Sequence, residues 1–186
     1  AASPLDSPVE SQANFSHMYQ VRGKEMYGLI VDPGAASGLS GIDTIKRYWE
    51  AVLSAHGPHP VFSPSDTTFT GVDRTPEPGL GVCDLPLNIV GLPNSTWKTD
   101  VLGNNGSNCP CLLANDSLRN LKATILSNVL PQGDGIIIFM ITDSQEVKTY
   151  SAFVRILLTD SGHYLIPMSS VAGIDPEKEH SYLAKV

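Results

Sequence analysis

One carboxylate stands out by its neighbours. Leu29-Ile30-Val31 is a short, apolar, β-prone run that stops at Asp32-Pro33-Gly34-Ala35, so the sequence delivers Asp32 at the end of a buried strand and into a tight turn. A carboxylate placed there has two readings. It is the side chain of an ordinary turn, or it is half of a pair. Two carboxylates about 3 Å apart cannot both ionise, so they share a proton near working pH and supply both a base for water and an acid for a leaving nitrogen. Their pKa values then belong to the pair. Gly34, two residues beyond Asp32, lets neighbouring backbone amides come close enough to hold such a carboxylate. The other Asp-x-Gly, Asp160-Ser161-Gly162, is followed by only 24 residues, too few for a second such lobe, and reads as a hairpin turn.

Other chemistries find less support. Ser37 and Ser40 follow the strand, but no Gly-x-Ser-x-Gly elbow exists. The glycines of 34–41 and 79–81 lack the Lys-Ser/Thr or Gly-x-Gly-x-x-Gly that cradles phosphate. His17, His56, His59, His163 and His180 are scattered without metal-like pairing, so no metal and no cofactor is expected. Cys83, Cys109 and Cys111 cannot all pair within one chain, and Cys-Pro-Cys is too tight for a routine disulfide, which predicts free thiols in a reducing, intracellular setting. Sequons at Asn14, Asn94, Asn105 and Asn115 leave secretion open.

Nineteen acidic against twelve basic residues give a net charge of -7 over 186 residues, with no basic run to displace counterions from nucleic acid. Apolar runs such as Gly135–Thr142 fall well short of the roughly 20 residues of a membrane-spanning helix. No charged start precedes an apolar run at the N-terminus, so no secretory signal is expected.

The elements that must position Asp32 follow from patterning. Residues 1–20 are rich in Ser, Pro, Ala and Asn without periodicity and read as a flexible arm. Ile42, Ile45, Trp49, Val52 and Leu53 recur at helical spacing, with Ser40 or Asp43 as cap and Gly57-Pro58 as stop. Val61–Val90 alternates around a Pro/Gly-rich middle and predicts a long hairpin with a mobile tip. Trp97–Leu102 and Cys111–Ala114 are strand-like, and Ser117–Leu126 predicts a helix capped by Asn115 or Asp116, with Leu118, Leu121 and Ile125 on one face. Two or three further strands follow Gly135. Trp49 is expected in the core and Trp97, amid polar residues, half exposed.

Leu29-Ile30-Val31-Asp32-Pro33-Gly34-Ala35-Ala36-Ser37 resembles the hydrophobic-Asp-Thr/Ser-Gly-Ala signature of the retropepsins, the aspartic proteases of retroviruses and retrotransposons. About eighty residues later Cys111-Leu112-Leu113-Ala114-Asn115-Asp116-Ser117-Leu118 resembles the family's hydrophobic-hydrophobic-Gly segment and short helix, with the Pro/Gly-tipped hairpin between. The likeness covers roughly residues 25–126. It is nearest to protease regions inside retrotransposon polyproteins, where Gly34 to Leu39 and Ser161 to Pro167 also look familiar.

The resemblance implies an all-β domain with short helices, a retropepsin-like barrel with one lobe per chain: core 21–130, and a C-terminal β extension, 131–186, packed on it. It implies an aspartic endopeptidase. Because each chain offers one such turn, two copies would meet on a two-fold axis, and the site would exist only in the homodimer. Asp32 and Gly34 would be catalytic, Pro33 and Ala35 would complete the turn, and an extended peptide of the parent polyprotein would lie beneath the hairpin. Leu29, Gly71, Val72, Gly79, Leu80, Gly81, Leu112, Leu113 and Ala114 would bind it. Three departures matter. Pro33 replaces the Thr or Ser whose hydroxyl braces the two catalytic loops; Ala36 and Asn115 replace a charged Asp and Arg pair, leaving no lone charge behind; Ala114 replaces a Gly. Pro33 keeps a second reading open, a catalytically inactive module that dimerises or grips peptides. A third is an unrelated β-rich binding domain.

Overall fold

The computed structural model describes residues 16–53, 59–70, 76–89, 92–143 and 148–168. A first hairpin, β1 (Gln20–Val21) and β2 (Lys24–Glu25), leads into β3 (Gly28–Asp32), whose first four residues are buried on both faces, as befits an unbroken apolar run in mid-sheet. β4 (Leu39–Gly41) runs directly into α1 (Ile42–Tyr48), which buries Thr44, Ile45 and Tyr48 and is prolonged by a π turn over Trp49–Leu53.

Neither expected cap serves α1. Gly41 occupies the N-cap, and the amides of Asp43 and Thr44 donate instead to the Ser107 carbonyl (2.9 and 3.4 Å). That loop packs so closely on Gly41 that a Cβ there would strike the Ser107 backbone. Ser40 is turned inward to hydrogen-bond Thr99 at 3.2 Å, both side chains being buried.

The hairpin predicted over Val61–Val90 is present as two nested ladders, β5 (Val61–Ser63) with β8 (Gly81–Ile89), and β6 (Thr68–Thr70) with β7 (Pro76–Pro78). Its tip, residues 71–75, lies outside the described residues. β8 also pairs along its length with β9 (Leu92–Leu102). Alternation on β9 turns Trp97, Thr99 and Val101 inward and Thr96 and Lys98 outward, so Trp97 is buried at 5% exposure rather than half exposed. Trp49 is partly buried against the core, its ring centroid 5.6 Å from that of His59.

β10 (Leu112–Ala114) is followed at once by α2 (Asn115–Asn120). This helix is shorter than predicted. Lys122 adopts a left-handed φ of 46°, with Ala123 N donating to Leu118 O (2.8 Å) and Lys122 N to Arg119 O (3.1 Å), the Schellman pair that ends a helix. Thr124–Leu126, expected to be helical, is strand β11. β12 (Gly135–Asp143), β13 (Lys148–Leu158) and β14 (Tyr164–Pro167) complete the strands among the described residues.

Ten strands form one sheet in the order β11-β12-β13-β14-β3-β10-β4-β9-β8-β5. β14 is antiparallel to β3, β10 is parallel to it, and β4 is parallel to β9. The fold is therefore β-rich with short helices. Among the described residues the end strands β11 and β5 do not pair with each other, so strand pairing does not close the expected barrel. The main core gathers Leu29, Val31, Ile45, Tyr48, Leu85, Trp97, Leu113, Phe139 and Ile156, while Ile30 and Leu112 face a smaller cluster with Tyr19, Val21, Met26 and Leu165. A fully buried aliphatic such as Ile137 contributes roughly 1.5–3 kcal/mol, which is what holds the central strands in register. No helix among the described residues is long and apolar enough to cross a membrane.

Candidate active site

Asp32 is the last residue of β3, half-buried and directly opposite Ala114 in the parallel ladder with β10. Proline ends the strand because it has no amide to offer the ladder. Pro33 and Gly34 are exposed at the centre of a turn closed by Ala35 N donating to the Asp32 carbonyl at 3.2 Å. The carboxylate folds back over this turn. Its Oδ1 accepts from Gly34 N at 2.9 Å and from Ala35 N at 3.3 Å. Gly34 is not needed for a left-handed backbone, since its φ is not positive. It is needed for room: a Cβ on Gly34 would lie 3.2 Å from Asp32 Oδ1, tighter than ordinary contact.

The turn is tied to the next element. Asn115 N, at the start of α2, donates to the Ala35 carbonyl at 2.9 Å, so β3, its turn, β10 and α2 share one hydrogen-bonded framework. Ile30 N in turn donates to the Cys111 carbonyl at 2.8 Å, and Cys111 N donates to the Tyr19 hydroxyl at 3.0 Å. The Cys109-Pro110-Cys111 run that enters β10 consists of buried free thiols, as predicted for all three cysteines. Burial first, and then the charge of Asp32, push the Cys109 thiol up to about 12.

Alternation sorts the predicted substrate residues onto two faces. Ile30 and Leu112 belong to the side of β3 and β10 that carries Asp32 and Ala114, whereas Leu29 and Leu113 point into the main core on the opposite side. Gly79, Leu80 and Gly81 sit at the base of the hairpin. Gly79 N donates to Thr67 O and Leu80 N to Val101 O, both at 2.8 Å; Leu80 is 58% exposed and covers Gly103; Gly81 has φ +136° against the Ser63 carbonyl. Gly71 and Val72 lie outside the described residues. The structure thus brings together Asp32, Pro33, Gly34, Ala35, Leu112 and Ala114, and holds the remaining described residues elsewhere.

One residue near the turn was not anticipated. Asp100 lies opposite Leu39 in the β4–β9 ladder, and its amide donates to the Gly38 carbonyl at 2.9 Å. Burial holds its carboxyl above the usual range, a hydrogen bond from Ser37 lowers it, and the charge of Asp116 raises it again. Nothing in Lys98-Thr99-Asp100 marks this in the sequence, because the neighbours come from 60 residues upstream and from α2. Among the described residues no group of three or more His, Cys, Asp or Glu side chains could hold a metal ion.

No family model, no curated protein and no solved structure matches the chain.

Proposed function

We propose that this chain is one half of an aspartic endopeptidase of retropepsin type, active as a homodimer in which Asp32 of each copy approaches a two-fold axis. The observation that carries the reading is the Asp32 carboxylate at the end of β3, held through Oδ1 by the amides of Gly34 and Ala35 beside the β10–α2 junction. Amides that fix one oxygen set the orientation of the carboxylate before any substrate arrives. Two such groups would share a proton; the ionised one takes a proton from water as it attacks the peptide carbonyl, and the protonated one donates to the nitrogen that leaves. An extended segment of the polyprotein containing this chain, inside the cell, is the substrate class, lying beneath the hairpin of residues 61–89 and against Leu112. No cofactor takes part in these steps.

A second reading keeps the dimer and drops the chemistry. Pro33 favours it, because this exposed turn residue has no hydroxyl to brace a partner loop. Cleavage of a peptide library by wild type and Asp32→Asn, with the mass of the particle measured in parallel, separates the two. The protease reading expects a two-chain particle whose cleavage disappears in the variant. Equal residual cleavage by both proteins, or a single-chain particle that still cleaves, ends it.

A further inference from the structure

Of the chain's asparagines, Asn105 alone is followed by glycine. In such a pair the next amide nitrogen reaches the side-chain carbonyl most easily, because glycine has no Cβ to shield its nitrogen or to restrict the backbone beside it. The fold leaves the pair within reach of water. Asn105 is exposed in the middle of a 3-10 turn, Asn104–Gly106, whose first residue holds a left-handed φ of 42°.

The turn restrains this pair and the start of α1 depends on it. Gly106 N donates to the Gly103 carbonyl at 2.9 Å and Ser107 N to the Asn104 carbonyl at 3.2 Å, so both bonds span residue 105. Beyond them the same loop carries the contacts that begin α1. The Ser107 carbonyl accepts from Asp43 N and Thr44 N, Gly106 O accepts from Cys109 N at 2.9 Å, and Cys109 O accepts from Gly41 N at 2.9 Å. A single hydrogen bond, Gly106 to Gly103, thus keeps the potential nucleophile occupied.

We propose that Asn105 is a site of spontaneous deamidation, gated by opening of this turn, and that its isoaspartate product uncaps α1. Gly106 N gives its proton to hydroxide and attacks Asn105 Cγ. The C–N bond that forms closes a five-membered succinimide, and the side-chain nitrogen leaves as ammonia with a proton drawn from water. A second water then opens the ring. Attack at Cγ restores the ordinary backbone with aspartate at 105; attack at the main-chain carbonyl leaves the backbone running through Cβ and Cγ, one carbon longer. The longer link breaks the two bonds that span residue 105 and moves the Ser107 carbonyl away from Asp43 N and Thr44 N. Either product adds a negative charge to a chain already at -7. This chemistry does not involve Asp32 and does not depend on the protease reading.

The full chain is aged at physiological temperature and mildly alkaline pH, folded and, in parallel, unfolded in guanidinium, and its peptides are followed by mass spectrometry. Asn105 of the folded chain is expected to convert to the acid at a rate proportional to hydroxide, about tenfold more slowly than in the unfolded chain, because one net hydrogen bond must open first. Folded chains that carry isoaspartate, separated by chromatography from those that carry aspartate, are expected to melt at a lower temperature. Asn105→Asp, which keeps the ordinary backbone, is expected to melt with wild type. Asn105→Gln, whose side chain would have to close a six-membered ring, is expected to stay unmodified at 105. The proposal is overturned if the folded chain shows no conversion at Asn105 while the unfolded chain converts, if the two convert equally fast, if Asn105→Gln gains the charge as quickly, or if isoaspartate chains melt with wild type. Ageing of the wild-type chain decides the matter even if neither variant folds.

Discussion

The chain contains two Asp-x-Gly turns, and they are used in opposite ways. At Asp32 the carboxylate accepts the amides of its own turn, Gly34 and Ala35, so among the described residues its hydrogen bonds are local. At Asp160 the carboxylate accepts the amides of Arg22 and Gly23 at 2.8 and 2.9 Å, from the turn of the first hairpin. Those two residues hold φ values of 53° and 73°, and Asp160 N returns a bond to Gln20 O at 2.7 Å. Gly162 has a left-handed φ of 84°, as a hairpin turn requires, whereas Gly34 has no such φ and serves by leaving space. Beneath the Asp160 turn Asp134, fully buried, accepts from Arg22 and Arg155 and from Leu158 N. One motif fastens the turn before β14 to the first hairpin; the other leaves its turn at the surface. The Asp160 carboxylate is spent on long-range ties, whereas the Asp32 carboxylate, the one proposed for chemistry, bonds within its own turn.

The sharpest way to break this contrast is to neutralise each acid in turn. Asp32→Asn keeps an oxygen acceptor for the two amides, so thermal stability should change by less than about 0.5 kcal/mol, while peptide cleavage should fall by about 10²–10⁴-fold, the usual weight of general acid–base catalysis. Asp160→Asn should leave the cleavage rate within about twofold of wild type when assayed well below its melting temperature. If the two variants lose cleavage equally, the assignment of roles fails.

Stability should respond in the reverse order. Asp134→Ala removes the carboxylate on which two arginines and a backbone amide converge, and breaking a buried ion pair from one side costs about 3–5 kcal/mol. In a domain of this size that lowers Tm by on the order of 10 °C. Asp160→Ala, whose two bonds are exposed, should cost about 1–2 kcal/mol. Calorimetry on the two variants checks the order; a larger loss for Asp160→Ala would show that the buried cluster is not what binds the first hairpin to β12 and β13.

What the sequence reveals of these regions depends on the range of the interactions. The Asp32 strand and turn are legible because an apolar run followed by Asp-Pro-Gly is a local pattern; so are α1 with its buried Ile45, and strands after Gly135, expected as two or three and found as three. The Asp134 cluster is not legible, because Arg22 and Arg155 reach it from 112 residues before and 21 after, and no spacing announces that meeting. The end of α2 is hidden for another reason. Lys122 takes the left-handed position where glycine would have flagged a stop, so Ile125 continues an apparent helical stripe while lying on β11. Trp97 misleads because its flanking polar residues belong to the outer face of a strand whose inner face is core. The sorting of the candidate wall residues, Leu112 on the Asp32 side and Leu113 on the other, needs the ladder of β3 with β10 and follows once that parallel register is known.

The smallest expected effect gives the most local reading of the comparison. Cys109 keeps its proton up to about 12 in the folded chain, through burial first and the Asp32 charge second, against an ordinary thiol value near 9. The folded state therefore holds a proton that the unfolded chain has released in between, so this contribution to stability is intact below pH 9 and is lost as pH rises toward 12. Asp32→Asn removes the second cause and leaves the first. Cys109 alkylation, followed by mass spectrometry across alkaline pH, should then set in at a slightly lower pH than in wild type, and Asp160→Asn should not move it. An unchanged onset in Asp32→Asn would mean that the carboxylate does not act on the thiol at the entrance to β10, and would detach Asp32 from the framework that makes it a candidate for catalysis.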